Sequence, residues 1–165
     1  MSLPRSARRV QAALHDAGVD VEVVVLEDSA RTAVEAAAAV GVEVGAIVKS
    51  LVFRDSTDPA HPPVLVLVSG DNRCDEALLG VTRADAATVR EVTGYAIGGV
   101  PPIGHPAPLR TVVDEQLGRF GTVWAAAGTP HAVFPVSFDD LVRLTGGEVR
   151  EVSPSGGRPP AAPPR

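Results

Sequence analysis

The sequence predicts a small α/β or α+β domain, and three observations carry that expectation. Amphipathic stretches at helical spacing alternate with short β-branched runs along most of the chain. Hydrophobic residues make up 45% of the 165 residues while aromatics are only 4%, so the core is to be built from Val, Ala and Leu rather than stacked rings. A glycine- and proline-rich segment interrupts the pattern near the middle. Residues 1–152 read as one domain, large enough for a core without disulfide or metal staples.

Val10, Ala13, Leu14 and Ala17 recur at helical spacing with Arg8, Arg9 and Asp16 between them, predicting a first helix over Ser6 to Ala17 that Gly18 stops. Val19 to Leu26 is rich in β-branched residues and reads as a strand. Thr32 caps a helix running to Val40, with Glu35 three residues on completing a capping box and Gly41 closing it. Ala46 to Phe53 and Val64 to Ser69 form an antiparallel hairpin around a polar loop. Short helices are expected over Asp75 to Leu79, with Asp75 as its cap, and over Ala84 to Val92, beginning after Thr82 or Asp85. Strands follow at Leu109 to Val113, Val123 to Ala127 and Ala132 to Val136. Ser137, with Asp139 and Asp140 behind it, caps a helix to Leu144 closed by Gly146 and Gly147, and Val149 to Val152 is a last short strand. From Ser153 the composition turns to Pro, Gly, Ala and Arg, a disordered tail.

Fifteen basic against 20 acidic residues leave a net charge of −5, the wrong sign for gripping long nucleic acid over a whole surface. Any nucleic-acid contact must be local. A single cysteine, Cys74, excludes an internal disulfide, and no Cys/His cluster has metal-ligand spacing. No run of about 18 apolar residues is present, so a cytoplasmic protein is expected.

Gly94 to His105 holds four glycines and the adjacent Pro101 and Pro102, too many breakers for a helix or an ordinary strand. It reads either as a backbone-built pocket wall or as a structural double turn. Lys49 is the chain's only lysine and lies inside the apolar run Ala-Ile-Val-Lys-Ser-Leu-Val-Phe. Its ammonium must face solvent or line a cavity beside a polar partner, because unpaired burial is costly. Arg73 is a candidate phosphate contact, whereas Asp75 is better placed as a helix cap. His131 follows a Gly-Thr-Pro turn with no evident partner, Cys74 has nothing nearby to activate it, and Trp124 and Phe134 are expected in the core. Nucleophile elbow, phosphate loop and metalloprotease motifs are all missing. Chemistry here would rest on positioning and electrostatics.

Taken in order, Val-Lys-Ser-Leu-Val-Phe, Val-Ser-Gly-Asp-Asn-Arg-Cys-Asp, Gly-Tyr-Ala-Ile-Gly-Gly-Val-Pro-Pro-Ile-Gly-His, Ala-Gly-Thr-Pro-His and Phe-Asp-Asp-Leu-Val-Arg-Leu-Thr-Gly-Gly resemble the YbaK family, free-standing relatives of the editing domain of bacterial prolyl-tRNA synthetases. The resemblance spans roughly Val10 to Val152. It implies an α+β fold with a curved mixed sheet and helices around a cavity, and hydrolysis of the ester joining a wrong amino acid to tRNA. It further implies that Lys49 clamps the terminal adenosine and its phosphate and that the backbone of Gly98, Gly99 and Pro102 faces the aminoacyl group and attacking water. Val100, Pro101, Gly128 and His131 are the implied substrate-binding positions, and Ser50 and Arg73 are expected beside them. Pro101 departs from the family, which more often has a small hydroxyl residue there. No cofactor or metal is implied. The implied partner is the acceptor end of aminoacyl-tRNA, reached alone, with help from Arg5, Arg8 and Arg9, or by delivery from a synthetase, with the protein a monomer or weak dimer. A non-catalytic module holding an aminoacyl-adenosine-like ligand is the competing reading, and a small-molecule esterase a third.

Overall fold

A computed structural model of the chain describes residues 3–154. The expected tail therefore lies almost wholly outside the described residues. The described residues form five α-helices and eight strands in the order α1 (Arg5–Asp16), β1 (Val24–Val25), α2 (Ala33–Val40), β2 (Ile47–Asp55), β3 (Pro63–Ser69), α3 (Glu76–Leu79), β4 (Val81–Arg83), α4 (Ala86–Thr93), β5 (Arg110–Asp114), β6 (Thr122–Ala126), β7 (Ala132–Ser137), α5 (Phe138–Thr145) and β8 (Glu148–Arg150). Short 3-10 turns occupy Val44–Ala46 and Glu115–Arg119.

One mixed sheet runs β1-β7-β6-β2-β3-β5-β8, with β4 added beside β2. The hairpin β2–β3 is antiparallel, as expected, with Lys49 opposite Val68. β2 also pairs in parallel with β6, and β3 with β5, so the sheet is mixed and the fold is α+β. Strand alternation sorts the core into layers. Val48 and Val52 of β2 with Leu65 and Leu67 of β3 join the main cluster, together with Val10 and Leu14 of α1, Val89 of α4 and Leu141 of α5. Phe53, Val64, Val66 and Val68 point to the other face and pack with Val112 and Val152. Ile47 continues that second face beneath Ala36 and Ala37 of α2.

The capping predictions match: Thr32 and Glu35 form the full capping box of α2, and Asp75, Asp85 and Ser137 cap α3, α4 and α5. Two expectations differ. The strand over Val19 to Leu26 shrinks to two residues, because Gln11 of α1 takes the backbone first: its Nε2 donates to the Val21 carbonyl and its Oε1 accepts from the Val23 N–H, both at 2.8 Å. Val21 and Val23 are tied to a helix, and only Val24 and Val25 pair with a neighbouring strand, β7. Val81–Arg83 forms β4 against Phe53–Asp55, where three residues are too few to show a period. Phe134 is fully buried in the main cluster, and Trp124 is partly buried against the α2 cluster.

Candidate active site

The site arises from a gap in the sheet. β2 pairs with β6 only through Ile47 and Val48, and with β4 only from Phe53 onward, so Lys49 to Val52 have no strand partner on that edge. The loop after α4 fills the approach. A cavity of about 360 Å3 is lined there by Lys49, Ser50 and Leu51 of β2, by Arg31, Thr32 and Ala33 at the start of α2, and by Ile97, Gly98 and Val100 of the loop. A second hollow of about 200 Å3 shares Ser50, Leu51, Ile97, Gly98 and Val100 and extends to Phe53, Arg83 and Val89. Because side chains alternate along a strand, Lys49 and Ser50 approach the opening from opposite faces of the sheet.

Lys49 sits on the second face, between the α2 cluster and the cluster around Phe53. Its Nζ donates to the Asn72 carbonyl at 2.5 Å. Burial pulls the ammonium below its ordinary 10.5; the Asp71 carboxylate opposes this, the Arg73 guanidinium adds to it, and the Asp114 carboxylate opposes it. Lys49 is thus a half-buried cation with a fixed polar partner, not a residue on a solvated strand face. Ser50 Oγ is buried at the cavity and has no hydrogen-bond partner, a polar group left for something that enters.

The loop from Gly94 to His105 is a shaped wall. Tyr95 is buried at its base, its hydroxyl donating to the Gly104 carbonyl at 3.1 Å, and the Arg9 guanidinium stacks 4.8 Å over its ring. Gly99 N–H closes a turn on the Ala96 carbonyl, and His105 Nε2 lies 2.9 Å from the Pro101 carbonyl. A carbonyl only accepts, so Nε2 carries the hydrogen, and burial holds His105 below its ordinary 6.5. Gly98 adopts φ +100°, and Gly99 lies so close to the next loop that a Cβ would stand 2.7 Å from Thr129 N and Cα. These two glycines therefore do different things: one bends the chain and the other permits contact.

The expected positions do not all meet at the cavity. Lys49, Ser50, Gly98 and Val100 line it. Gly99 backs it against Gly128 and Thr129, while Gly128 at φ +94° lies against the Ser6 backbone of α1. Pro101 and Pro102 are buried, and Pro102 lines a separate 250 Å3 hollow with Ile103, His105 and Leu144. His131 is exposed at the head of β7, its backbone N–H bonded to Thr129 Oγ1, and is absent from the cavity lining. Arg73 is exposed, close enough for its charge to act on Lys49. Cys74 is half-buried and its thiol is pushed up to about 11, chiefly by burial, which makes it a poor nucleophile. Asp75 caps α3 by accepting from Leu78 N–H at 3.0 Å, as expected. The lining residues Arg31, Thr32 and Ile97 escaped sequence reasoning because nothing local marks which side of a capped helix faces a distant loop.

A mixed α+β sheet whose open edge carries a lysine-bearing cavity walled by glycine-rich backbone defines a small pocket protein whose site lacks an activated side-chain nucleophile. Residues 27–144 match the aminoacyl-tRNA editing domain family, and the chain belongs to that family. Among solved structures it is similar to one described as a proposed trans-editing enzyme for prolyl tRNA synthetase, with 49% identity and a TM-score of 0.84 over 92% of this chain and 98% of the other. It is 32% identical to the uncharacterized protein YwhH of Bacillus subtilis over 73% of this chain and 78% of YwhH. It is 33% identical to the proline–tRNA ligase of Lactobacillus helveticus over half of this chain and 15% of the ligase. Editing of aminoacyl-tRNA by hydrolysis is therefore the class of activity this chain belongs to.

Proposed function

We propose that this chain acts in trans, in the cytoplasm, as a deacylase that removes a small amino acid from a mischarged tRNA, with tRNA-Pro the first carrier to test. The observation that carries this reading is the meeting of Lys49 with the Gly98 and Val100 backbone at one cavity of about 360 Å3. That volume lies in the usual range for a small-ligand site, roughly 300–1,000 Å3.

Water adds to the ester carbonyl carbon, and the bond from that carbon to the ribose 3′-oxygen breaks. The proton that water gives up reaches the departing 3′-oxygen by way of the neighbouring 2′-hydroxyl. The products are free amino acid and uncharged tRNA, and no protein nucleophile is required. Lys49 holds the terminal nucleotide and Arg73 its phosphate. Backbone groups from Gly98 to Val100 orient the water, and Ser50 Oγ takes a polar atom of the substrate. Selection is steric: a hydrophobic pocket separates neighbouring side chains by only about 1–3 kcal/mol per methylene, which suits a second sieve acting on products a synthetase has already made.

The test is release of labelled amino acid from tRNAs charged with Pro, Ala, Cys, Ser and Thr, using wild type and Lys49→Ala side by side. Release from one or two of them is expected, reduced roughly 100-fold by the substitution, the scale of losing one fixed electrostatic contact. No release by folded wild type would point to a module that binds an aminoacyl-adenosine-like ligand without cleaving it. Full activity in Lys49→Ala would sink the role given to the lysine.

A further inference from the structure

Resting on the editing reading, we propose that Asp114, a fully buried carboxylate at the end of β5, is a positioning residue that sets the place of the Lys49 ammonium by clamping the turn that receives it. The connections are direct. Asp114 Oδ2 accepts from the Ser69 N–H and from Asn72 Nδ2, both at 3.0 Å, and its Oδ1 accepts from the Gln116 N–H at 2.9 Å. Between Ser69 and Asn72 the chain turns back on itself, closed by Asn72 N–H donating to the Ser69 carbonyl at 2.9 Å. One carboxylate oxygen thus holds both ends of the turn. The carbonyl leaving that turn, Asn72 O, is the acceptor for Lys49 Nζ.

Asn72 is buried, and its Oδ1 has no donor, so the grip of Asp114 on Nδ2 is the hydrogen bond that fixes this side chain. A buried acceptor left without a donor persists only where other contacts over-determine it. Asp114 supplies one of these contacts at Nδ2, and the turn bond from Asn72 N–H to the Ser69 carbonyl supplies another. The carboxylate therefore does more than cap the turn over Glu115–Arg119: it carries order from β5 across β3 to the lysine on β2.

Lys49 is the only lysine in the chain, which makes the proposal testable. An aromatic sulfonate reagent such as trinitrobenzenesulfonate labels Lys49 and otherwise only the terminal amine, which mass spectrometry of peptides separates. The charged and titratable groups acting on Lys49 are Asp71, Arg73, Cys74 and Asp114. In Asp114→Asn the pH midpoint of Lys49 labelling should fall, since a carboxylate that favours its charged form is gone. kcat/KM for deacylation should drop roughly 10- to 100-fold, the cost of a misplaced group. Combined with Lys49→Ala, the same substitution should cause no further loss, as expected of two residues acting as one unit.

Asn72→Ala keeps the backbone carbonyl and the bonds of Asp114 to Ser69 and Gln116, and it should move both readouts in the same direction by less. An unchanged Lys49 midpoint with full activity in folded Asp114→Asn would overturn the proposal, as would losses that multiply with Lys49→Ala. If Asp114→Asn does not fold, Asn72→Ala decides by the same criteria. A wild type without deacylase activity would remove the editing reading alone, because the labelling midpoint still reports whether Asp114 governs Lys49.

Discussion

Gly98 and Gly99 are neighbours in the cavity wall, yet a methyl group should affect them differently. At Gly98 the added Cβ meets nothing nearer than Pro130 Cγ at 3.7 Å, so Gly98→Ala carries only the strain of φ +100°, about 1–3 kcal/mol of stability. At Gly99 the Cβ would lie 2.7 Å from Thr129 N and Cα and 2.9 Å from the Gly128 carbonyl carbon. Backbone cannot step aside as a flexible side chain can. Gly99→Ala should therefore push the wall off the Gly128 to Thr129 loop and cut deacylation more than Gly98→Ala does, which steady-state kinetics beside thermal melts of both variants will show. Ser50→Ala gives a further check at this scale. Its hydroxyl is buried and unpartnered, so removing it should leave stability equal or higher while raising KM, and an unchanged KM would rule out its contact with substrate.

Among the elements, α4 matters because it delivers the chain to the glycine loop. Asp85 caps it, and its carboxyl is held below the ordinary 3.8 first by the Thr88 hydroxyl and then by the Thr88 N–H. A carboxyl with a depressed folded value adds stability above its unfolded value and loses it as pH falls through the folded one. The melting-temperature gap between wild type and Asp85→Asn should accordingly be full near neutral pH and should close below about pH 4, near the unfolded carboxyl value. A gap that persists undiminished at pH 2 would show that the cap does not act through its charge. The caps of α2, α3, α4 and α5 were legible in sequence because a cap is a local bargain between a side chain and backbone three residues away. The strand expected over Val19 to Leu26 was not, since its backbone is claimed by Gln11 of a helix and nothing in the strand's own residues announces that.

For the whole molecule, the net charge of −5 argues for contact with only the acceptor end of tRNA. Binding measured across a salt series should give a shallow slope, equivalent to a few phosphates, and a slope of about 8 or more would contradict local recognition. The residues just beyond β8 also belong to the core: Val152 is buried in the second cluster and its carbonyl accepts from the Asp75 N–H at 2.7 Å. A chain ending at Glu151 should be less stable than one ending at Pro154 by roughly 1.5–3 kcal/mol, the contribution of one buried valine. Equal melting temperatures would place Val152 outside the cooperative core.

Helix caps, the β2–β3 hairpin, the shaped loop and the oddity of a lone lysine in an apolar strand were determined by the sequence alone, because each depends on residues within a few positions of one another. Only the tertiary structure decided that β2 changes partners between β6 and β4, that the cavity opens at that gap, and that Asp114 reaches Lys49 through Asn72. Those contacts join residues 23 and 42 positions apart, and no local propensity encodes a pairing that exists only once the sheet has closed.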